Sequence, residues 1–328
     1  MSKGRGKSRP KPRQHVSGFV SILGRPNAGK STLLNALMGT KVAIVADKPQ
    51  TTRTTIQGVW TTPGAQVVFV DTPGIHDADT LFNRRMMQSI NEALGERDLL
   101  LYLVDSTRTP GAEDEKALDL IKDAHTPAIA VFNKVDALEN NAALLPLIDR
   151  YRQWYEFDEY LPLSALKGVG LEELRAAILK RLPAGPAWFP ADHVTDQPER
   201  FLAAEIIREK ILASTRQEVP HSAAVLVDEW KEEGRLTRIS ATVHVERPGQ
   251  KAIIVGARGA MLKKVGSEAR LEIERLLGRK VFLALFVKVS PKWRENERFL
   301  KELDWRAMIG GDAPAVREPA GPDDNEGE

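Results

Sequence analysis

The chain has 328 residues, of which 42% are hydrophobic and 28% are charged, and its formal net charge is +2. These values are typical of a soluble globular protein that is long enough for two domains, each with its own core. The chain has no cysteine, which excludes disulfides, thiolate metal sites and cysteine nucleophiles. No apolar run is long enough to span a membrane and no signal-peptide core opens the chain, so we expect a cytoplasmic protein.

The two ends of the chain are predicted to be disordered, because they are rich in Gly, Pro and charge. Residues 1–15 are basic, and residues 310–328 hold six acidic side chains against Arg317 alone. A basic tail is either fully solvated or a contact for phosphates, and the sequence leaves both readings open.

A phosphate-binding loop opens the first domain. The apolar run 18–23 predicts a strand, and residues 32–38 predict a helix that ends at Gly39. Residues 24–31 lie between them and fit the pattern G-x-x-x-x-G-K-[ST]. Backbone N–H groups of such a turn, at the positive end of a helix, bind phosphate oxygens. We expect the nucleotide to contact Gly24, Arg25, Pro26, Asn27, Ala28, Gly29, Lys30, Ser31 and Thr32.

Oxygen ligands suited to Mg²⁺ come from this loop and from two later segments. The Ser31 hydroxyl is the metal contact that the loop pattern predicts. The Thr-rich stretch 41–55 suits a segment that becomes ordered around a γ-phosphate and Mg²⁺, and we expect Thr52 to bind the metal, with Thr51 as the alternative. The buried strand 66–70 ends at Asp71, in the crevice where α/β sheets bind ligands. The expected contacts there are Asp71, Thr72, Pro73, Gly74 and Ile75, and the expected metal ligands are Ser31, Thr52 and Asp71.

Guanine specificity is predicted at the ends of two later strands. The run 127–132 leads into Asn133, Lys134, Val135 and Asp136. The Asp136 carboxylate can accept hydrogen bonds from N1–H and the 2-amino group of guanine, a pair of donors that adenine lacks. Asn133 and the stem of Lys134 would brace the loop and cover the base. The backbone of Ser164 and Ala165, which follow the short strand 160–163, would contact the guanine O6.

Alternating strands and helices indicate an α/β fold, here a P-loop GTPase domain over residues 16–183 with a mostly parallel sheet. A P-loop kinase or ATPase is the competing reading, and residues 133–136 count against it.

The segment that follows Asp71 lacks the residue that usually orients the hydrolytic water. Ile75 stands after Gly74, where many small GTPases carry a glutamine. We therefore expect slow hydrolysis that depends on another group, a partner or a cation, and we assign no general base. The catalytic candidates are Lys30, Asn27, Thr52 and Gly74. Asn27 offers a carbonyl that would help to hold K⁺ beside Mg²⁺, or else it only stabilises the loop.

Residues 184–198 are rich in proline and predict a linker to a second domain over 199–290. The patterns there predict a helix (199–214), two strands (222–230 and 236–246) around a polar turn at 231–235, a short apolar helix, a long helix (260–277) and a last strand (280–290). The turn Gly256-Ala257-Arg258-Gly259 stands just before the long helix. This order is similar to that of a type II KH domain, a small α+β fold whose Gly-x-x-Gly turn presses against about four nucleotides of RNA.

Positive charge surrounds this turn. Between residues 251 and 280 there are eight basic residues and three acidic ones, which favours phosphates, and a solvated helix face is the alternative. The RNA contacts that we expect are Lys251, Ile254, Gly256, Ala257, Arg258, Gly259, Lys263, Lys264, Arg270, Lys292 and Trp293, the last two in a C-terminal extension at 291–309.

A single GTPase domain joined by a short linker to a C-terminal KH domain resembles the Era family of bacterial ribosome-assembly GTPases. The resemblance extends from about Gly18 to Trp305, and its motifs are residues 24–31, 50–53, 71–75, 133–136 and 287–294. It implies binding of GTP and GDP, binding of small-subunit (16S) ribosomal RNA near its 3′ end, and a role in 30S assembly. It also implies loose association with the inner membrane face. We expect a monomer with no DNA partner.

Two functions remain open from the sequence. In the first, the chain is an RNA-binding switch in which GTP orders residues 41–56 and 71–90 and thereby changes RNA affinity, which requires different contacts in the two nucleotide states. In the second, the C-terminal domain of the GTPase is only a protein docking or dimerisation module.

Overall fold

The structure is a computed structural model and describes residues 14–46, 51–52, 55–72, 80–95, 97–215, 219 and 222–305. Most of both predicted tails lies outside these residues, as do the expected nucleotide contacts Pro73, Gly74 and Ile75. Within the described part of the chain, no helix combines the length and the apolar character needed to cross a bilayer.

A six-stranded sheet forms the first unit. Its strands are β1 (Val16–Gly24), β2 (Ile56–Thr62), β3 (Ala65–Asp71), β4 (Leu99–Asp105), β5 (Ala128–Asn133) and β6 (Glu159–Pro162). They lie in the order β2-β3-β1-β4-β5-β6, and each neighbouring pair among them is parallel except β2 and β3. The chain crosses from one side of β1 to the other between β3 and β4. The carboxyl ends of these three strands therefore border the crevice where open α/β sheets bind ligands.

Helices cover both faces of this sheet. They are α1 (Lys30–Met38), α2 (Leu81–Leu94), α3 (Ala112–Ala124), α4 (Leu144–Trp154) and α5 (Leu171–Arg181). Leu33 of α1 and Leu174 of α5 belong to the core on one face, whereas Leu118 of α3 and Tyr151 of α4 belong to the core on the other. A mostly parallel sheet covered on both sides is the architecture that the alternating pattern predicts.

The second unit is smaller and has its own core. Its elements are α6 (Glu199–Ser214), β7 (Ala224–Glu233), β8 (Leu236–Val245), α7 (Pro248–Val255), α8 (Ala260–Leu277) and β9 (Lys280–Val289), followed by α9 (Glu297–Leu303). The strands lie in the order β7-β8-β9, with β8 antiparallel to β7 and parallel to β9. Ile207, Val243 and Ile273 are among the residues that join α6, the sheet and α8 in one apolar cluster.

The structure adds β2, α2, α4 and α9, which the sequence patterns do not predict, and it corrects one turn. The polar stretch 231–235 was expected to be a turn, but β7 continues to Glu233, which pairs with Leu236. A two-residue turn at Gly234 and Arg235 therefore joins β7 to β8. Gly234 has φ of 58°, a conformation that glycine adopts without strain.

The proline-rich segment after α5 lies against the edge of the first sheet. The N–H of Val59 donates to the carbonyl of Val194 at 2.8 Å, and the Thr195 hydroxyl donates to the carbonyl of Gln57 at 2.7 Å. These bonds occupy edge groups of β2 that would otherwise be open to another strand. They also determine where the chain leaves the first sheet to begin α6.

Candidate functional site

The phosphate-binding loop connects β1 directly to α1. Gly29 has φ of 100°, and a Cβ added there would lie 2.3 Å from Asn133 Nδ2, so a larger side chain is excluded without movement. Asn27 also has a positive φ, 62°, which asparagine tolerates better than most residues. Lys30 Nζ donates to the carbonyls of Gly24 and Arg25, each at 3.0 Å, so the loop closes around the ammonium group. The N–H groups of this loop and of the first turn of α1 form the anion-binding end of the helix.

The Lys30 ammonium is unusually buried. Lys30 is only 7% exposed, and this burial lowers the pKa of its ammonium group to about 8. The nearby Asp71 carboxylate acts in the opposite direction and raises that pKa. A buried ammonium gains from a negative partner, and the phosphates of a bound nucleotide are the partner that the loop geometry suits.

The three predicted metal ligands lie together. Ser31 Oγ donates to Asp71 Oδ2 at 2.7 Å and is 2.7 Å from Thr52 Oγ1. Thr52 Oγ1 is also 3.3 Å from Asp71 Oδ2. Burial raises the pKa of Asp71 to about 6, while Lys30 and the hydroxyls of Ser31 and Thr52 act to lower it. The other carboxylate oxygen, Asp71 Oδ1, is buried and has no hydrogen-bond partner.

This donor set fits Mg²⁺. The ion is hard, prefers oxygen ligands, and binds through one or two carboxylates together with phosphates and water. Two hydroxyls and one carboxylate supply such ligands, and an unpartnered carboxylate oxygen is a polar group that a cation or its bound water would satisfy. Among the described residues there is no cluster of three or more His, Asp or Glu side chains of the kind that forms an all-protein metal cage.

Asn133 joins three segments of the predicted guanine side of the site. Its Nδ2 donates to the carbonyl of Ala28 at 2.8 Å, and its Oδ1 accepts from the N–H of Ala165 at 2.9 Å. Lys134 Nζ donates to the carbonyl of Asn27 at 2.8 Å, so it too braces the phosphate loop. Asp136 is exposed and lines the same cleft, where its carboxylate can accept hydrogen bonds from a base.

These segments border a cleft of about 440 Å³. The sequence-predicted residues that line it are Pro26, Asn27, Gly29, Lys30, Ser31, Thr32, Thr52, Asn133, Lys134 and Asp136. Others lie behind this lining: the Arg25 side chain turns away to Glu113 and Asp114, and the buried Thr72 hydroxyl donates to the carbonyl of Ile22 at 2.8 Å. The Thr72 side chain is thus a brace between β3 and β1, and its contact with the nucleotide stays a prediction.

The remaining predicted contacts are also placed behind the lining. Ala28 is fully buried in the core below the loop, and Gly24 makes its contacts through the backbone. Val135 donates its N–H to the carbonyl of Leu163 at 3.3 Å. Ser164 is buried, and its hydroxyl accepts a hydrogen bond from the N–H of Lys167. The contact of this pair with Asn133 is made by the backbone N–H of Ala165.

Several site residues were missed from the sequence. Leu166, which is 73% exposed and follows the predicted Ser164-Ala165 pair, lines the cleft, as do Ile44, Val45, Ala46 and Ala137. Thr51, the alternative metal ligand of the sequence analysis, also lines it. Asp105, at the end of β4, accepts from Lys134 Nζ at 2.8 Å. Burial would raise the pKa of Asp105, but hydrogen bonds from Lys134 and Thr107 outweigh it and the pKa is lowered. A carboxylate that directly follows a buried strand was the available signal for this residue.

The Gly-x-x-Gly turn lies between α7 and α8, as predicted. Gly256 has φ of 71° and ψ of 178°, and a Cβ there would lie 2.7 Å from Met261 Cβ, so the turn requires glycine at this position. Arg258 and Gly259 also have positive φ. Beside the turn, a groove of about 380 Å³ runs between α8 and β9. It is lined by Gly259, Leu262, Lys263, Gly266, Ser267, Arg270, Leu283 and Leu285.

Most of the predicted RNA contacts are exposed or half-buried, and two are buried. Lys251, Ala257, Arg258, Lys263, Lys264 and Lys292 are exposed, and Arg270 is half-buried beside Glu274. Trp293 is only 1% exposed, donates from Nε1 to the carbonyl of Ser222 at 2.9 Å, and packs against Phe82 of α2. Ile254 is also 1% exposed. Both side chains are core residues here, which corrects their prediction as RNA contacts.

Two family models match the chain. Residues 19–134 match the model described as a 50S ribosome-binding GTPase, and residues 218–294 match the KH domain. One match falls in each unit of the fold, and the predicted combination of a P-loop GTPase domain with a KH domain is confirmed.

Curated relatives match over nearly their whole length. The GTPase Era of Geobacter metallireducens is 53% identical over 88% of this chain and 97% of its own length. The GTPase Era of Geotalea uraniireducens is 49% identical over 89% of this chain and 99% of its own length.

Two solved structures share the fold over most of the chain. A crystal structure of an Aquifex aeolicus Era variant bound to GDP and AlF₄⁻ is 42% identical, covers 88% of this chain and 99% of its own, and has a TM-score of 0.85. A crystal structure of Era with MgGDPNP and nucleotides 1506–1542 of 16S ribosomal RNA is 41% identical and has a TM-score of 0.86. It covers 89% of this chain and 99% of its own.

Proposed function

The chain belongs to the Era family of GTPases, and we propose that it hydrolyses GTP and binds 16S ribosomal RNA near its 3′ end during assembly of the 30S subunit. The observation that carries the proposal is the presence in one chain of a cleft built for a guanine nucleotide and a glycine turn built for RNA. The Era structure that holds both MgGDPNP and 16S nucleotides supports the pairing, since it shares the fold of both units.

In the nucleotide cleft, each group has a role that its surroundings support. Lys30 and the N–H groups at the start of α1 bind the phosphates and stabilise the negative charge that develops on the transferred group. Ser31, Thr52 and Asp71 hold Mg²⁺, which neutralises phosphate charge when it is bound. Asp136 selects guanine, while Asn133 keeps the phosphate loop and the base loop at a fixed separation. The predicted contribution of the Gly74 N–H concerns a residue outside the described part of the chain.

K⁺ is a further cofactor in this proposal. The main-chain carbonyl of Asn27 already accepts a hydrogen bond from Lys134, so the side-chain oxygen of Asn27 is the atom that would hold the cation. We expect faster GTP hydrolysis in KCl than in NaCl at matched ionic strength. Asn27→Gly keeps the positive φ and the backbone bond but removes the side-chain oxygen, so it should abolish the difference. Equal rates of the parent chain in the two salts would refute this role.

The RNA part of the proposal is tested by reversing charge at the Gly-x-x-Gly turn. The double variant Ala257→Asp, Arg258→Asp should bind an RNA of the 1506–1542 sequence at least tenfold more weakly and with a smaller salt dependence than the parent chain. Aspartate tolerates the left-handed backbone of residue 258, so the turn itself should persist. The double variant Ala176→Asp, Lys180→Asp, at two exposed positions on α5, makes the same change in net charge and is the control for charge alone.

The outcome also separates this function from a GTPase whose C-terminal domain only docks a protein or a second copy. RNA binding that is absent, or that does not change with salt or with the double variant, would support the docking module. Co-sedimentation of the intact chain with 30S subunits in GTP but not in GDP would support the ribosomal role.

The proposal places the protein in the cytoplasm as a monomer, without a DNA partner and with a loose contact to the inner membrane face. Sedimentation equilibrium tests the monomer, and competition of duplex DNA against the RNA tests the choice of nucleic acid. Flotation with vesicles containing anionic lipid tests the membrane contact, which a chain that stays at the bottom of the gradient would contradict.

A further inference from the structure

The segment between α1 and β2 is held by the C-terminal unit at several of its described residues. The Lys41 ammonium contacts both Glu209 of α6 and Glu272 of α8. Near the other end of the segment, the main-chain carbonyl of Thr51 accepts a hydrogen bond from Arg208 of α6. Two elements of the RNA-binding unit thus contact a segment of the nucleotide-binding unit on both sides of its central residues.

Arg208 is a buried arginine whose direction is fixed by its own helix. The residue is 1% exposed, its Nε donates to Glu205 Oε1 at 2.7 Å, and a terminal nitrogen donates to Glu205 Oε2 at 2.5 Å. A buried guanidinium is tolerated only when it is paired and hydrogen-bonded. The two bonds to Glu205 hold the planar group in one orientation, from which it also reaches the carbonyl of Thr51.

The carbonyl of Thr51 belongs to the same planar peptide group as the N–H of Thr52. A fixed position for this carbonyl therefore also fixes the orientation of the peptide group that leads to Thr52. The Thr52 hydroxyl lies 2.7 Å from Ser31 Oγ and 3.3 Å from Asp71 Oδ2, within the oxygen cluster that fits Mg²⁺. A displacement of α6 would move the Thr51 carbonyl and carry the Thr52 hydroxyl out of this cluster.

We propose that Arg208 is a positioning residue for the metal site: the RNA-binding unit, through α6, holds Thr52 where it binds Mg²⁺. The inference rests on the proposed function, because it concerns the same nucleotide cleft. It assigns to the C-terminal unit a direct part in GTP binding in addition to RNA binding. Because coupling between sites is reciprocal, Mg²⁺ and GTP should in turn stabilise the docking of α6.

The test compares two arginines of the same helix. Arg208→Met removes the donor to Thr51, whereas Arg200→Met removes an arginine whose hydrogen bonds go to the carbonyls of Val227 and Asp228, inside the C-terminal unit. The measured quantity is the Mg²⁺ concentration that gives half-maximal binding of a non-hydrolysable GTP analogue to the full chain. We expect Arg208→Met to raise it about tenfold, as loss of outer-shell support commonly does, and Arg200→Met to leave it unchanged.

A second readout separates positioning from simple loss of structure. GDP binding in EDTA does not use the Mg²⁺ ligands, so it should be the same in Arg208→Met and the parent. Because Arg208→Met leaves Glu205 without its partner, the double variant Glu205→Gln, Arg208→Met is measured beside it and should show the same tenfold shift. An unchanged Mg²⁺ requirement in a folded double variant overturns the inference and leaves the proposed GTPase intact. A parent chain that binds no GTP analogue would overturn the proposed function as well.

Discussion

Asn133 shows how much of a nucleotide site can depend on one side chain. It is 3% exposed, and its amide supplies a donor to the carbonyl of Ala28 and an acceptor to the N–H of Ala165. Only an amide offers both functions at this geometry, because a carboxylate accepts and does not donate. The phosphate loop and the base loop are thus held at a fixed distance by the two hydrogen bonds of one amide.

Asn133→Asp should therefore strongly impair GDP binding, although the two side chains are nearly the same size. The new oxygen would face the carbonyl of Ala28, leaving two buried acceptors without a donor, and we expect the free energy of unfolding to fall by about 1–3 kcal/mol. GDP affinity should fall at least tenfold. Asn140→Asp is the matched control, because that exposed side chain only accepts a hydrogen bond, from the N–H of Ala142 at 2.8 Å. Urea unfolding and GDP titration measure both effects, and parental GDP affinity in Asn133→Asp would contradict the role assigned to this amide.

Among the elements, α1 illustrates two different uses of glycine. It begins after Gly29 and ends before Gly39, and both residues have positive φ, 100° and 69°. At the C-terminus a Cβ would meet nothing within 4 Å, whereas at the N-terminus it would lie 2.3 Å from Asn133 Nδ2. Gly39 serves only the end of the helix, whereas Gly29 also allows the close approach of two loops.

Alanine at these two positions should separate the two uses. Gly39→Ala should cost about 1 kcal/mol of stability, from the left-handed backbone alone, and leave GDP affinity unchanged. Gly29→Ala should cost more, about 1–3 kcal/mol of strain, and also displace Asn133, so that GDP affinity falls at least tenfold. Thermal unfolding with and without GDP measures both. If the two variants bind GDP equally well, close packing against Asn133 is not what this position requires.

The sheet of the second unit contains a pH-sensitive residue at its junction with α9. His244 of β8 is 8% exposed, its Nδ1 is 2.9 Å from Ser290 Oγ, and its ring lies 4.7 Å from that of Phe299. Burial lowers the pKa of His244, Lys288 lowers it further, and Asp228 and Glu302 act in the opposite direction. The folded protein therefore favours the neutral imidazole more than the unfolded chain does.

The stability contributed by this histidine should be present above its ordinary pKa of about 6.5 and should be lost as the pH falls through the lower, folded value. His244→Gln should accordingly reduce the fall in unfolding free energy between pH 7 and pH 5, since each pKa unit of depression corresponds to about 1.4 kcal/mol. His125→Asn, at an exposed residue in the left-handed region, is the control for loss of a histidine. Identical pH profiles for His244→Gln and the parent chain would rule out the predicted linkage.

For the whole molecule, the sequence predicted the parts whose chemistry is local and missed those that depend on strand pairing or on packing between elements. The motif around Lys30, and strand ends such as Asp71 and Asn133, could be read because spacing along the chain determines their place at the sheet edge. β2 was missed because its stability comes from pairing with β3, and its sequence, with Gly58 and two threonines, carries little apolar alternation. The continuation of β7 to Glu233 was missed because these polar residues are held in the strand by pairing with β8.

Trp293 was predicted to contact RNA as part of the motif 287–294, and no local pattern reveals its neighbours in the fold. It belongs to a small apolar cluster that joins α2 of the first unit to the C-terminal segment, with Phe82 and Leu300 among its members. The ring centroids of Trp293 and Phe82 are 5.6 Å apart. Because α2 follows Asp71 in the chain and Trp293 follows β9, this cluster packs the nucleotide-binding unit against the RNA-binding unit.

Removal of this ring should uncouple the two units. Trp293→Ala should cost about 3–5 kcal/mol, as large core truncations do, and the loss should fall on the contact between units. We therefore expect calorimetry to show two unfolding transitions, of which only one shifts upward with GDP, because GDP stabilises the unit that binds it. Trp188→Ala, at a tryptophan that is 40% exposed, is the control and should change stability less without dividing the transition.

Trp293→Phe keeps most of the packing and should retain parental RNA affinity, since the buried ring is not available to stack on a base. Weaker RNA binding by a stably folded Trp293→Phe variant would return this residue to the RNA interface.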